Sequence, residues 1–268
     1  MLHITQALTA YIITITAALG LIMGSFLNCM AWRMTHSESV LKGRSHCASC
    51  NHVLGALDLV PVVSWLLLKG RCRYCGRKIS PRYPAAELVT AVVFVSLVLR
   101  YDVSFTTLKF LLLACVLIAL SLVDFEQYIL PDSLVIAGIL IFIIMSPFNN
   151  TSFLKTIFSG IAGSLAVTVP LLILVLLADK ITGKETMGGG DIKLLFMVGL
   201  YFDWRLNLML LIFACFLGLL LALLMGKAKP GTPFPFGPAI GAAAFLVMLI
   251  GEPLLNWYIG LFYYGLYF

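Results

Sequence analysis

Eight apolar runs, at about 7–32, 86–100, 105–123, 133–148, 156–178, 192–203, 206–226 and 236–258, take up most of this chain. One helical crossing of a bilayer needs about 20 apolar residues. Backbone N–H and C=O groups find no water inside a membrane, so runs of this kind satisfy them internally, as helices. That single feature confines the chain to an all-α, polytopic membrane architecture of about eight transmembrane helices.

Composition removes the other classes. Of 268 residues, 61% are hydrophobic and only 11% charged, against about a quarter charged in ordinary soluble domains. A soluble chain this long lacks the polar side chains to cover its surface, so a soluble enzyme and a disordered chain are both excluded. Eight spans use about 160 residues, which leaves room for one small extramembrane unit. The runs at 86–100 and 192–203 are short. They are expected to extend into flanking residues or to lie at a thin, polar-lined region. The first run is too long for a cleaved signal peptide, and no Lys or Arg precedes it.

The net charge is +6, from 18 Lys and Arg against 12 Asp and Glu. In a soluble protein that excess suggests nucleic acid. In a polytopic one it carries orientation, because Lys and Arg collect in cytoplasmic loops, and no nucleic-acid partner is expected. Threading eight spans from an outside N-terminus places 14 Lys and Arg inside. Only Arg100, Lys109, Lys155 and Arg205 fall on the other side. Both termini are therefore expected outside the cytoplasm and the long loop 33–84 within it. Pro147-Phe148-Asn149-Asn150 reads as an outer turn, and Lys229-Pro230-Gly231-Thr232-Pro233 as a cytoplasmic loop.

Only loop 33–84 is long enough to fold as a unit, and at about 50 residues it needs a staple. Cys47-Ala48-Ser49-Cys50 and Cys72-Arg73-Tyr74-Cys75 supply one. Two Cys-x-x-Cys knuckles offer four thiolates, the set Zn²⁺ prefers in tetrahedral structural sites. Gly76 permits a tight turn after the second knuckle, and Arg44, Arg71, Arg73, Arg77 and Lys78 offset the thiolate charge. Two disulfides or a redox pair are the competing reading, disfavoured in the reducing cytosol. His46 and His52 flank the first knuckle and are spare ligands at most. Cys29, Cys115 and Cys215 lie within apolar runs and read as small core residues.

Ionisable side chains in membrane spans are costly and invite a functional explanation. Asp124 ends the third run and Asp191, after Gly188-Gly189-Gly190, opens the sixth. Helices of opposite direction carry them, so both fall at the cytoplasmic boundary. Two carboxylates brought close share protons unequally, which is the chemistry of an aspartic protease. The glycines admit an extended peptide beside Asp191. Three readings stand on the residues alone: catalysis, with Asp191 an N-cap as the second and a proton or ion pathway as the third. Glu126, Asp132, Asp179 and Glu185 read as solvated loop charge or as attraction for a basic peptide. Asp132 also reads as a helix cap and Lys193 as an interfacial anchor.

Taken in order, the motifs resemble those of bacterial type IV prepilin peptidases, the bifunctional leader peptidases and N-methyltransferases of type IV pilus and type II secretion systems. The resemblance runs through Gly24-Ser25-Phe26-Leu27-Asn28 with Arg33, and through the knuckles joined by Asp58-Leu59-Val60-Pro61-Val62-Val63-Ser64-Trp65-Leu66. It continues through Ile79-Ser80-Pro81-Arg82-Tyr83-Pro84 with Glu87, then Asp124 with Leu130-Pro131-Asp132. Gly188-Gly189-Gly190-Asp191-Ile192-Lys193 and Pro235-Phe236-Gly237-Pro238 complete it.

The resemblance implies that Asp124 and Asp191 are the catalytic pair of a Gly-x-Gly-Asp intramembrane aspartic protease of the bacterial inner membrane. It implies cleavage after a glycine that separates a basic leader from the hydrophobic helix of a prepilin or pseudopilin. It further implies methylation of the new N-terminal amine from S-adenosylmethionine, with Asn28, Arg33, Asp58 and Glu87 as candidate cofactor-binding positions. Three parts are expected: a first transmembrane helix at 1–32, a zinc-binding, methyltransferase-associated loop at 33–84, and a membrane-embedded peptidase at 85–268. Met34 and Thr186 depart from the family pattern, which commonly has proline and glycine there. The rival readings are a transporter with an aspartate proton relay and a zinc knob, a presenilin-like protease, and a non-enzymatic assembly subunit.

Overall fold

The computed structural model describes residues 6–40, 42–148, 152–184, 186–227 and 234–265. Asn149 and Asn150 of the outer turn, Glu185 and the 229–233 loop lie outside them. Among the described residues the elements are helical: α1 (Gln6–Thr35), α2 (Val63–Leu67), α3 (Arg82–Tyr101), α4 (Phe105–Gln127), α5 (Asp132–Met145), α6 (Phe153–Thr182), α7 (Gly189–Gly199), α8 (Trp204–Leu224) and α9 (Gly237–Leu246). A π-helical turn at Val247–Gly251 leads into α10 (Glu252–Gly265). Two isolated bridges, His46 with Val53 and Arg71 with Lys78, are the only strand-like pairings described.

Each apolar run forms a helix, but the spans are not equal. Among the described residues six stretches are long and apolar enough to cross a membrane: α1, α3, α4, α6, α8 and Gly237–Leu261. The run at 86–100 extends at both ends into α3. Those at 133–148 and 192–203 give α5 and α7, of 14 and 11 residues, too short for a full crossing on their own. The chain is a multi-pass membrane protein, and among the described residues six of the eight apolar runs give long helices while the other two give the short α5 and α7.

The chain divides into two compact units, residues 1–107 and 108–268. In the first, α1 lies directly on α3. A side chain on Gly20 would sit 2.6 Å from the Ala91 Cα, and one on Gly24 would sit 2.7 Å from the Glu87 Cα. This small-xxx-small pair lets the two backbones approach, as at other helix contacts in membranes. Asn28, one turn further, donates to the Gly24 carbonyl at 3.1 Å and the Tyr83 carbonyl at 3.2 Å, tying the start of α3 to α1.

In the second unit the 11-residue helix α7 is closely enclosed. Leu194, Met197 and Val198 of α7 are fully buried, with α5, α6 and α9 packed around them. Gly138, Gly160 and Gly199 admit the close approach: side chains there would collide with Met197, with the Leu200 carbonyl and with Ser164. Polar groups of neighbouring helices supply the bonds α7 lacks at its end. Asn207 donates to the carbonyls of Gly199 (2.9 Å) and Phe202 (3.2 Å), and Ser164 to that of Phe196 (2.7 Å). A helix can stop within a bundle when its orphan carbonyls are met in this way.

Candidate functional site

The two cysteine knuckles fold as copies of one turn. In the first, the Asn51 N–H donates to the Cys47 carbonyl (2.9 Å) and the Cys47 N–H to the His52 carbonyl (3.0 Å). In the second, Gly76 bonds Cys72 and Cys72 bonds Arg77 in the same pattern, at 3.0 and 2.9 Å. Both turns need a left-handed residue after the second cysteine, and Asn51 (φ 55°) and Gly76 (φ 69°) occupy it. Asparagine and glycine are the residues that reach this region most easily.

All four sulfurs lie within 4.8 Å of one another. A tetrahedral Zn²⁺ with Zn–S bonds of about 2.3 Å needs sulfurs about 3.8 Å apart, so the set fits a metal after slight contraction. The seven cysteines are free thiols, and the Cys47 and Cys75 sulfurs stand 4.0 Å apart. This is a cluster and not a pair of disulfides. Burial works to raise the Cys47 thiol, but the Ser49 and Cys50 N–H groups together with the Cys72 and Cys50 side chains bring it down to about 7. His46 instead stands 3.6 Å from Glu38 with its ring edge on Trp32, and His52 packs on the Tyr74 ring.

Asp58 ties the second knuckle to the segment before it. Its carboxylate accepts from the Gly55 N–H (3.1 Å) and the Tyr74 hydroxyl (2.9 Å), and stands 2.8 Å from the Arg73 Nε. Burial pushes this carboxyl up, but Gly55, Tyr74 and Arg73 together hold it below the usual carboxylate range. Their hydrogen bond pushes the Tyr74 phenol up in turn.

The four positions Asn28, Arg33, Asp58 and Glu87 line one cavity of about 270 Å³ in the first unit. They are not equivalent. The Arg33 guanidinium is buried and donates to the carbonyls of Ser39, Val40, Lys42 and Gly43, so it organises the start of the loop. Glu87, also buried, accepts from the Val62 N–H at 2.7 Å and from the Ser25 hydroxyl. Val62 has φ 59°, a genuine outlier for a β-branched residue, at the centre of a γ-turn closed by Val63 N–H to Pro61 C=O. The Glu87 bond holds that turn against the cavity. Sequence reasoning missed Ser25, Trp32, Trp65 and Tyr74 in this lining, although all but Trp32 belong to segments already singled out.

In the second unit the structure brings Asp124 and Asp191 within electrostatic reach. Asp124, in the last turn of α4, is buried, and its Oδ2 accepts the Gly237 N–H from the start of α9 at 2.8 Å. Asp191 lies in the first turn of α7, whose N-cap is Gly188. Asp191 is therefore not the N-cap, contrary to one of the readings above. Its carboxylate turns back toward Gly188. Leu130 fills the space between the two helix starts: it would meet a side chain on Gly190 at 3.3 Å and one on Gly237 at 3.1 Å.

Charges around the pair are also placed. The Lys193 ammonium stands 2.8 Å from Asp132, so it pairs across helices. Asp132 begins α5 but Pro131 is its N-cap, which removes the capping role. Asp179 accepts from the N–H (2.7 Å) and hydroxyl (2.6 Å) of Thr186, anchoring the approach to α7. The Lys227 ammonium lies over the Tyr128 ring and bonds its hydroxyl.

Two family models match the chain: the bacterial peptidase A24 N-terminal domain over residues 18–101 and the type IV leader peptidase family over residues 111–223. Among curated relatives, a prepilin leader peptidase/N-methyltransferase of Pseudomonas putida is 32% identical over 91% of this chain and 93% of its own. Proteins of the same description from Bacillus subtilis (33% identical, 90% and 95% covered) and Neisseria gonorrhoeae (31%, 95% and 97%) are similar throughout. No solved structure matches.

Proposed function

The chain belongs to the type IV leader peptidase family, and from that membership we propose that it cleaves the leader of prepilins or pseudopilins and methylates the new N-terminus. The observation that carries the peptidase half is the pairing of buried Asp124 with Asp191 at the starts and ends of α4, α7 and α9. One aspartate activates water and the other protonates the departing amine, with no metal in the step. The Gly237 N–H orients Asp124, and Gly188–Gly190 leave backbone space for an extended substrate beside Asp191.

That the chain forms two compact units supports a division of labour. Loop 33–84, carried by α1 and α3, serves methyl transfer, with Cys47, Cys50, Cys72 and Cys75 holding a structural Zn²⁺. Residues 85–268 serve proteolysis, with both aspartates in the part from α4 onward. The 14-to-4 Lys and Arg bias supports a zinc loop and aspartate pair at the cytoplasmic face with both termini across the membrane, and the family resemblance supports the bacterial inner membrane. S-adenosylmethionine supplies the methyl group. The transporter reading needs the same aspartates but leaves the paired knuckles and the cavity of the first unit without a task.

Incubating purified protein with a pilin-like precursor tests the proposal. A product cut after glycine, lost in Asp191→Asn, supports it. An intact precursor, with enzyme and substrate from one organism, refutes it.

A further inference from the structure

Glu87 is a buried carboxylate at the wall of a ligand-sized cavity, and both its described partners are neutral: the Val62 N–H and the Ser25 hydroxyl. Among the described residues no ammonium or guanidinium lies within ion-pair distance of it. A buried charge without a counter-charge is expensive. Two of the four cations in the lining are engaged elsewhere, Arg33 by four carbonyls and Arg73 by Asp58, which leaves Arg77 and Lys78. The cavity wall therefore carries a buried carboxyl group with no described cationic partner, among aromatic side chains.

The rest of the lining narrows the ligand. Trp32, Trp65 and Tyr74 contribute ring surface, and Arg77 and Lys78 add positive charge. At about 270 Å³ the space lies near the lower end of small-molecule sites, which run from about 300 to 1,000 Å³. A matching ligand carries a compact cation, a flat ring system and a carboxylate. Rings receive flat bases and cations by stacking and cation–π attraction, and the two basic residues receive the carboxylate.

We propose that this cavity is the methyl-donor site, with the Glu87 carboxylate facing the sulfonium of S-adenosylmethionine. The assignment rests on the N-methyltransferase reading and adds the location, the counter-ion and a basis for product release. In the transfer, the substrate amine attacks the methyl carbon and the C–S bond breaks, its electron pair staying on sulfur. The sulfonium becomes a neutral thioether and the amine nitrogen sheds its proton to solvent. The charge that Glu87 attracts disappears in the same step, so the donor is held more tightly than the product. Asn28 and Arg33 act as positioning residues, the first joining α1 to α3 and the second shaping the loop.

The test is equilibrium binding of radiolabelled S-adenosylmethionine and of S-adenosylhomocysteine to the full-length, zinc-loaded protein in nanodiscs. Glu87→Gln keeps an acceptor for the Val62 N–H and removes the charge. It is expected to weaken the donor at least about tenfold, the usual consequence of losing a buried charge partner, while the thioether changes less than about threefold. A merely structural role for Glu87 weakens both ligands equally and overturns the assignment. Ser64→Phe, which places bulk into the same cavity, is expected to block both ligands. Unchanged donor binding in both variants places the donor site elsewhere. Failure of the wild type to bind either ligand refutes the N-methyltransferase reading itself.

Discussion

Adding one methyl group at Gly237 tests the geometry of the aspartate pair. The glycine is helical at the start of α9, so alanine suits its backbone and its helix propensity is higher. What alanine meets is Asp124. Its Cβ would stand 2.8 Å from the carboxylate Oδ2 and 3.1 Å from the Leu130 Cδ2. Ordinary contacts begin at about 3.5 Å, so α9 or the carboxylate must move by about 0.7 Å. The N–H bond to Asp124, now 2.8 Å, cannot survive that shift with good geometry.

A hydrogen bond to a charged group contributes about 1.5–3 kcal/mol, and each 1.4 kcal/mol is tenfold in rate. Gly237→Ala should therefore slow cleavage about 10- to 150-fold. Gly241→Ala is the control. It lies one turn further on the same helix, and its Cβ would meet the Ser121 hydroxyl at 3.1 Å, a contact that can yield. The assay is single-turnover cleavage of a purified precursor, read by mass shift. Full-rate cleavage by Gly237→Ala, or equal losses in the two variants, refutes the idea that the α9 N–H positions Asp124.

Three further outcomes follow from the same structure. Chelating the metal, or Cys72→Ser, should unfold loop 33–84 and abolish methyl transfer while cleavage persists. Equal loss of both activities contradicts the division of labour. Asp58→Asn should loosen the second knuckle by weakening its hold on Arg73 and Tyr74. A faster rate of zinc loss to a chromogenic chelator checks it, and an unchanged rate assigns Asp58 no such role. Gly20→Val should destabilise the α1–α3 pair by about 1–3 kcal/mol through overpacking, since even a Cβ meets the Ala91 backbone at 2.6 Å. The readout is the thermal unfolding midpoint in detergent, and a wild-type midpoint contradicts the packing.

What the sequence revealed, and what it did not, divides by the range of the interaction. Apolar runs and the Cys-x-x-Cys spacing are local signals, and the helices and the four-sulfur cluster follow from them. So does the turn at Gly76, though its counterpart at Asn51 was overlooked because asparagine signals a left-handed turn less strongly than glycine. The short run at 192–203 gave no sign of how closely its helix would be enclosed. Its stability comes from Asn207, Ser164 and three glycines, most of them on other helices. Leu130 and Gly237 stood in recognised motifs without a role, because their contacts with each other and with Asp124 join segments about a hundred residues apart. Asn28, Arg33, Asp58 and Glu87 came forward through family resemblance alone. Only their hydrogen bonds separate the organiser Arg33 from the unpaired carboxylate Glu87.

The central claim is that Asp124 and Asp191 together cut a pilin-like precursor that is then methylated. Mass spectrometry of the precursor after incubation with purified protein and S-adenosylmethionine tests it most directly, with Asp124→Asn and Asp191→Asn run beside wild type. The account predicts a wild-type product cut after glycine and one methyl group heavier, and an intact precursor with either variant. Cleavage that persists in either aspartate variant contradicts it.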